Sequence, residues 1–281
     1  MREREGFIHG VPCWIDSGRR NGDSAVAFYG KLFGWEFSDV APPGSGNYFL
    51  ARKDGKLVGA IGVGEYNNEN PVWNTYIQVD DADAAAKAVV EAGGTVTMDP
   101  TDAGEAGRMA FFTDPAGAEF AIWQPGSLKG AELVNSPGSW NSSDLHTNDV
   151  QASIAFYREV FGWQTDLLEF GDFRSWLFRL PGYGDFLEQY DPEIRTRQAA
   201  DNAPPGFEDA VGWMSELTEG SPRFAVTFAV EDTDATVGLC QQLGGKVVQP
   251  AATIGPVREA VLADPEGAVF RIGKYDPNLR S

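Results

Sequence analysis

Residues 25–35 read Ala-Val-Ala-Phe-Tyr-Gly-Lys-Leu-Phe-Gly-Trp, and residues 153–163 read Ser-Ile-Ala-Phe-Tyr-Arg-Glu-Val-Phe-Gly-Trp. Phe28 therefore corresponds to Phe156, at an offset of 156 − 28 = 128 positions. Both stretches place apolar residues at helical spacing and then reach a glycine, which predicts the same amphipathic helix twice. Self-similarity of this kind indicates a chain built from repeated structural units.

Two further pairs of matching segments extend the repeat. Residues 79–84, which begin Val-Asp-Asp-Ala, match residues 230–235, which begin Val-Glu-Asp-Thr, at an offset of 232 − 81 = 151. The turn Asp-Pro-Ala-Gly at 114–117 matches Asp-Pro-Glu-Gly at 264–267, at an offset of 264 − 114 = 150. The repeat therefore runs through almost the whole chain.

The growing offset locates an insertion in the second half. Between the first and the later matches the offset increases by 151 − 128 = 23 residues. We place the extra residues at about 188–222, a polar stretch that contains Pro204-Pro205-Gly206. A segment of this composition is typical of an exposed loop, which could cover a site, form an interface or only decorate the surface.

Inside each half a smaller unit recurs, consisting of an extended run, a helix and three further extended runs. The first unit has extended runs at 13–16, 35–40, 48–52 and 57–63 and a helix at 24–33. The sequence therefore predicts an α+β protein of four βαβββ modules. The predicted boundaries are 1–130 for a first domain, with modules at about 7–65 and 71–125, and 131–281 for a second, with modules at about 138–187 and 223–275.

These motifs together resemble the vicinal oxygen chelate superfamily, the group of glyoxalase I, bleomycin-resistance proteins and extradiol dioxygenases. The resemblance rests on the Ala-Phe-Tyr…Phe-Gly-Trp helix in modules one and three and on Asp-Pro-x-Gly in modules two and four. It implies that the modules pair into two glyoxalase/bleomycin-resistance-like domains, whose curved mixed sheets each enclose a pocket. Fold alone does not determine the reaction.

Composition restricts the partners and the compartment. The 281-residue chain has 22 Lys and Arg against 41 Asp and Glu, a net charge of −19, which disfavours nucleic acids and anionic membranes. No apolar run approaches the ~18 residues of a membrane span, so we expect a cytoplasmic monomer or homodimer. Cys13 and Cys240 lie in apolar segments, which predicts two buried thiols rather than a disulfide.

Strand alternation indicates which side chains face the pockets, because residues two apart share a face. Asp16 and Asp144 occupy the same repeat position, and a buried carboxylate must be paired, hydrogen-bonded or protonated. They are therefore the most distinctive acidic pair, although a structural role at the pocket rim stays open. The predicted pocket residues are Trp14, Asp16, Asn74, Tyr76, Gln78 and Trp123 in the first half, and Ser142, Asp144, His146, Thr227 and Arg271 in the second.

The resemblance implies a test for a metal. Metal-dependent members place His or Gln on the first strand of a module and Glu on the last strand. The first-strand positions here hold Trp14, Asn74, Ser142 and Ala225, and the last-strand positions hold Ala121 and Arg271. Because none is His or Glu, we expect no metal and no cofactor. A one-residue slip in register could still bring Asp16 or Asp144 together with His146.

Three functions of different classes remain, of which one is an interaction protein that uses the exposed 188–222 insertion as its interface; the other two act on a small molecule. The first is a metal-free protein of the sequestration or resistance type that encloses a small organic molecule, with Arg271 anchoring a carboxylate, phenolate or quinone oxygen. The second is an enzyme, either a metal-dependent lyase or oxygenase or a metal-free one. In the metal-free version Asp144 and His146 act as acid and base, and Arg271 stabilises an enolate or oxyanion.

Overall fold

The computed structural model describes residues 3–20, 22–63, 71–170, 173–201 and 203–279. Within these residues the chain forms two eight-stranded mixed sheets and six α-helices. Each sheet is built by one half of the chain, as the repeat predicts, and we call them sheet I and sheet II.

Sheet I contains the first two modules. Strand β1 pairs antiparallel with β5 at the centre, which joins the modules, and the strand order is β2-β3-β4-β1-β5-β8-β7-β6. The elements in chain order are β1 (Pro12–Arg19), α1 (Gly22–Phe33), β2 (Glu36–Asp39), β3 (Asn47–Lys53), β4 (Lys56–Val63), β5 (Trp73–Gln78), α2 (Ala82–Glu91), β6 (Thr95–Asp102), β7 (Gly107–Thr113) and β8 (Glu119–Pro125).

Sheet II repeats this arrangement with the third and fourth modules. Its strand order is β10-β11-β12-β9-β13-β16-β15-β14, and β9 pairs antiparallel with β13 at the centre. The elements are β9 (Trp140–Thr147), α3 (Val150–Phe161), β10 (Gln164–Phe170), β11 (Phe173–Arg179), α4 (Tyr183–Glu188), α5 (Ile194–Ala200), β12 (Ala210–Glu216), β13 (Arg223–Ala229), α6 (Thr233–Gln242), β14 (Lys246–Ile254), β15 (Val257–Ala263) and β16 (Val269–Tyr275).

The repeated Asp-containing segment starts a helix in each half. The carboxylate of Asp81 accepts a hydrogen bond from the N–H of Ala84, and that of Asp232 accepts one from Ala235, both at 2.9 Å. These are N-caps, which satisfy backbone donors that the first helical turn leaves unpaired. The match between residues 79–84 and 230–235 is therefore a shared helix start.

The two sheets pack against each other through their inner faces, with helices α1, α2, α3 and α6 lying between them. At the centre the sheets touch directly, where Thr75 Oγ1 donates to Ser143 Oγ at 2.7 Å. Further out, the rings of Phe33 and Phe228 lie 4.9 Å apart. The opposite faces of the two sheets, which we call the outer faces, point away from each other.

The two repeated motifs meet across this inner layer. Tyr29, from the helix motif of module one, donates its hydroxyl to Asp264 of module four at 2.9 Å. Tyr157 of module three donates to Asp114 of module two at 3.1 Å. Module one therefore packs on module four and module two on module three. The residues of the motifs that predicted the fold therefore also form contacts between its two halves.

One of these two junctions contains a buried ion pair. Arg19 Nη1 lies 2.7 Å from Asp264 Oδ2, and the two side chains are 0% and 1% exposed. The Arg19 Nη2 group also donates to the Tyr29 hydroxyl at 3.3 Å, and the guanidinium lies 6.0 Å from the Trp73 ring. At the equivalent of Arg19 the second half has Thr147, so the other junction lacks this ion pair.

The position of the insertion differs from the prediction of 188–222. Residues 210–216 of that range form β12, which pairs with both β11 and β9 inside sheet II. The additional chain lies before this strand and includes α4 and α5, whose Tyr183, Leu187 and Ile194 are buried. The prediction was wrong because β12, Ala-Val-Gly-Trp-Met-Ser-Glu, lacks regular alternation and begins only four residues after Gly206 of the Pro-Pro-Gly turn.

Two smaller expectations concern the thiols and the membrane. Cys13 and Cys240 are free and buried, which confirms the prediction of two thiols. Among the described helices, none combines the length and the apolar character needed to cross a bilayer.

Candidate ligand-binding site

The outer face of sheet I carries the six residues predicted for the first pocket, and most of their side chains are buried. Trp14, Tyr76 and Trp123 are 2%, 3% and 5% exposed. The Phe111 ring lies 5.6 Å from that of Tyr76, and the Trp123 ring 6.5 Å from it. These aromatic side chains fill the space above the sheet with their own volume.

Asp16 lies at the centre of this aromatic cluster, and the groups that donate hydrogen bonds to it among the described residues are all neutral. Tyr76 Oη donates to Oδ2 at 2.8 Å, Tyr48 Oη donates to Oδ2 at 3.0 Å, and Asn74 Nδ2 donates to Oδ1 at 2.9 Å. The Trp14 indole N–H in turn donates to the Tyr48 hydroxyl at 3.1 Å. Burial raises the pKa of Asp16 above its ordinary value, although the three hydrogen bonds oppose this.

The remaining polar groups on this face bind the protein's own backbone. Trp123 Nε1 donates to the carbonyl of Leu128 at 2.9 Å, and Gln78 Nε2 donates to the carbonyl of Phe7 at 2.5 Å. With these donors and the three on Asp16 already engaged, the outer face of sheet I forms a hydrogen-bonded core.

The equivalent positions on sheet II hold much smaller side chains. Ser142 stands where the first half has Trp14, Thr227 where it has Tyr76, and Gly273 where it has Trp123. The strand register also places Ser175 at the position of Tyr48. Replacing four aromatic side chains by these small ones removes most of the volume that closes sheet I. The outer face of sheet II therefore carries less side-chain volume beside a cluster of polar groups.

A guanidinium between two carboxylates forms the centre of that cluster. Arg271 Nη2 donates to Glu259 Oε1 at 2.5 Å, and Arg271 Nη1 lies 3.6 Å from Asp144 Oδ2. The Arg271 and Asp144 side chains are 20% and 13% exposed. Asp144 also accepts weak hydrogen bonds from Ser142 Oγ at 3.2 Å and from the N–H of Trp213 at 3.3 Å. We call Ser142, Asp144, His146, Thr227, Glu259 and Arg271 the sheet II site.

The protonation of the site follows from burial and from the two positive charges nearby. Burial raises the pKa of Asp144, and the attraction of Arg271 only partly offsets it. Burial also lowers the pKa of His146 to about 4, helped by repulsion from Arg271 and Arg223. At neutral pH the imidazole is therefore uncharged, while Arg271 stays charged because Asp144 and Glu259 oppose the effect of its burial.

Two buried polar atoms of the sheet II site have no hydrogen-bond partner among the described residues: His146 Nε2 and Thr227 Oγ1. Buried polar atoms in native proteins are nearly always hydrogen-bonded, so each exception calls for an explanation.

Trp213 of β12 forms the floor beside the site, and it lies within the range 188–222 that the sequence predicts as the insertion. Its backbone lies directly between Leu177 of β11 and Asp144 of β9 in the strand register. Its ring centroid lies 6.1 Å from that of Phe207, which belongs to the additional chain before β12. The additional chain therefore contacts the same face that carries the sheet II site.

The sequence did not predict three residues that lie at or beside the two polar clusters: Tyr48, Trp213 and Glu259. Glu259 could have been found by applying strand alternation to β15, where it pairs with Gly273 and shares its outward orientation with Arg271 on β16. Tyr48 and Trp213 depend on the pairing of β3 with β4 and of β12 with β9, which no local pattern contains.

The residues present do not fit the metal site that the fold implies. The side chains at the ligand positions include Trp14, Ala121 and Ala225, which cannot coordinate a metal ion, and Arg271, whose charge repels a cation. Asp144 and Glu259 both contact that guanidinium. Within the described residues there is no group of three His, Cys, Asp or Glu side chains that could hold a metal ion.

Comparison with known proteins gives matches for both halves. The model of the glyoxalase/bleomycin resistance protein/dioxygenase superfamily matches residues 15–122, and that of a glyoxalase-like domain matches residues 143–273. A Mycobacterium bovis protein named as a glyoxylase, CFP32, is 36% identical over 99% of both chains. The anthracycline biosynthesis protein DnrV of Streptomyces peucetius is 36% identical over 95% of this chain and 94% of its own.

Solved structures support the same architecture. The Mn(II)-bound glyoxalase from Novosphingobium aromaticivorans superimposes with a TM-score of 0.59 at 14% identity, over 100% of this chain and 87% of its own. The 2,3-dioxygenase LapB from Pseudomonas sp. KL28 gives a TM-score of 0.59 at 13% identity, over 96% and 93%. At such low identity these structures establish the fold alone.

Proposed function

The chain belongs to the glyoxalase/bleomycin resistance protein/dioxygenase superfamily, and from this premise we propose that it binds a small organic molecule at the sheet II site without a metal ion. The observation that carries the proposal is the exchange of bulky for small side chains between the two outer faces. Ser142, Thr227 and Gly273 stand where the buried Trp14, Tyr76 and Trp123 fill sheet I with their side chains. The first half then braces the fold, and the second half binds.

The polar groups favour an uncharged ligand that has both an acceptor and a donor. Arg271 Nη1 lies 3.6 Å from Asp144, too far for a good hydrogen bond, so this nitrogen can donate to a ligand oxygen. Asp144 can accept from a ligand hydroxyl beside it. Two carboxylates already surround one guanidinium, so an anionic ligand would add to an excess of negative charge. A phenol or hydroxyquinone meets these requirements, with Thr227 and His146 as further partners.

Titration with 2,3-dihydroxynaphthalene tests the proposal. We expect saturable binding and a rise in melting temperature, since a ligand at 100 times its dissociation constant adds about 2.7 kcal/mol of stability. Arg271→Ala should weaken binding roughly 10- to 100-fold, the effect of losing a charged hydrogen bond worth about 1.5–3 kcal/mol.

Arg108→Ala is the matched control, because Arg108 also bridges two carboxylates, those of Asp83 and Asp102, but lies on β7 of sheet I. Its affinity should stay within twofold of the wild type. Equal losses in the two variants, or no saturable binding to the wild type, would rule out the sheet II site.

A metal-free enzyme at the same site is the second candidate. The raised pKa of Asp144 and the adjacent Arg271 favour a carboxylate that takes a proton from a substrate while the guanidinium stabilises the resulting oxyanion. His146, with a pKa of about 4, is a weak base and would serve as a neutral hydrogen-bond partner. Asp144→Asn distinguishes the two candidates: an enzyme loses turnover of its substrate, whereas a binding protein only changes affinity.

A further inference from the structure

A cavity lies on the outer face of sheet II, several strands away from Arg271. It has a volume of about 450 Å³, within the range of small-molecule sites. We call it the Pro205 cleft. Two strands form its floor and the additional chain forms its wall; the lining residues are Asp166, Leu168, Leu177, Arg179, Pro204, Pro205 and Gly206.

The strand register connects this cleft to the sheet II site. Leu177 in the cleft pairs with Trp213, and Trp213 lies beside Asp144 in the next strand, so the three residues form one row across β11, β12 and β9. Neighbouring strands are about 4.8 Å apart, which puts Leu177 and Asp144 roughly 10 Å from each other. Trp213 forms the floor between the two ends.

The cleft is apolar in practice, because its charged groups are already paired. Arg179 Nε donates to Asp166 Oδ2 at 2.5 Å. Gly206 has a φ of +77°, and a Cβ at this position would come within 2.7 Å of Arg179 Nη1, so the Pro-Pro-Gly turn rests directly on the guanidinium. The remaining lining is formed by leucine and proline side chains, which offer contact area without hydrogen bonds.

The wall of the cleft is held in place by its own ion pairs. Arg195 of α5 contacts Asp185 at 2.8 Å, Glu188 at 2.5 Å and Glu208 at 3.1 Å, and so ties α4, α5 and the residues before β12 together. Ile194 anchors the same segment in the hydrophobic core. The additional chain is therefore a built wall, and a ligand under it would meet a preformed surface.

We propose that the Pro205 cleft and the sheet II site are the two ends of one elongated site, and that its ligand is a planar aromatic molecule of at least three fused rings with oxygen substituents at one end. The oxygenated end contacts Arg271 and Asp144, the middle lies on Trp213, and the apolar end lies under Pro204 and Pro205. This inference rests on the proposed function and adds the length and ring number of the ligand.

A series of probes with one, two and three rings tests the length. Catechol, 2,3-dihydroxynaphthalene and 2,3-dihydroxyanthracene all present two neighbouring hydroxyls at one end and are uncharged at neutral pH, and their dissociation constants are measured by quenching of tryptophan fluorescence. The three-ring probe should bind at least tenfold more tightly than catechol. Leu168→Trp, which fills the cleft, should weaken the three-ring probe at least tenfold and leave catechol within twofold.

Leu167→Trp is the control, because Leu167 is the neighbouring residue on the same strand, points to the other face and is 42% exposed. It should leave all three affinities within twofold. Leu168→Phe provides a milder block if the tryptophan variant does not fold.

The outcomes separate the two proposals. If Arg271→Ala weakens all three probes but the Leu168 variants leave the three-ring probe within twofold, the elongated site is refuted and the proposed function stands. If none of the probes binds the wild type, both proposals fail together.

Discussion

The buried ion pair between Arg19 and Asp264 leads to a quantitative prediction about how the two halves are held together. Arg19→Met keeps the length of the side chain but leaves a carboxylate that is 1% exposed without its cation, 2.7 Å from where the charge stood. Breaking a buried pair from one side costs about 3–5 kcal/mol. Asp264 keeps two backbone donors and the Tyr29 hydroxyl, so we expect the lower end, about 3 kcal/mol.

Urea unfolding followed by circular dichroism measures this cost, with the slope of the transition compared between variants. Asp114→Asn is the control at the equivalent junction, where the carboxylate accepts hydrogen bonds from Tyr157 and from backbone donors. We expect this variant to lower the free energy of unfolding by about 1 kcal/mol. The double variant Arg19→Met/Asp264→Asn should regain at least about 1 kcal/mol over Arg19→Met, because the stranded charge is gone. A loss below about 1 kcal/mol for Arg19→Met, or no recovery in the double variant, would refute this account.

Two further predictions concern the sheet II site. Gly273→Trp places in sheet II the tryptophan that Trp123 provides at the equivalent position of sheet I. A Cβ at Gly273 meets nothing nearer than Val257 at 3.4 Å, so the variant should fold, yet its affinity for 2,3-dihydroxynaphthalene should fall at least tenfold. Unchanged affinity would contradict the role of side-chain volume. The pKa of His146 is lowered from 6.5 to about 4 on folding, so the unfolded state binds the proton first, and stability is full above pH 6.5 and falls as the pH drops toward 4. The free energy of unfolding falls by at most about 3 kcal/mol through this effect. Urea unfolding at pH 7 and pH 4.5 should show a smaller fall for His146→Gln than for the wild type. Equal falls in the two proteins would contradict the lowered pKa of His146.

The fold was predictable because its information is repeated along the chain. Two copies of the Phe-Tyr helix and two of the Asp-Pro-x-Gly turn are enough to identify four modules, and the order of the strands confirms them. Strand alternation also predicted a common outer face for Trp14 and Asp16 and for their counterparts Ser142 and Asp144. The difference in side-chain volume between the two faces was already contained in these pairs, since Trp14 in the first half corresponds to Ser142 in the second. Strand alternation, however, indicates only the direction of a side chain.

Other features depend on pairings between distant strands. The Asp16 network needs Tyr48, which reaches it only because β3 pairs with β4 and β4 with β1. The insertion was misplaced because β12 owes its extended form to its neighbours β9 and β11 more than to its own residues. The contact of Tyr29 with Asp264 joins the first module to the fourth, and no local pattern predicts which modules pack together.

This nested packing, in which module one meets module four and module two meets module three, sets an order of events during synthesis. The chain between Tyr29 and Asp264 spans 235 residues, which takes roughly 10–50 s to translate at about 5–20 residues per second. The junction between modules two and three can form as soon as α3 has been synthesised. Phe28, Tyr29 and Phe33 of module one are covered only after the strands of module four have been synthesised. These aromatic side chains therefore stay uncovered by module four until late in synthesis, and apolar surface exposed in this way favours aggregation or binding by a chaperone.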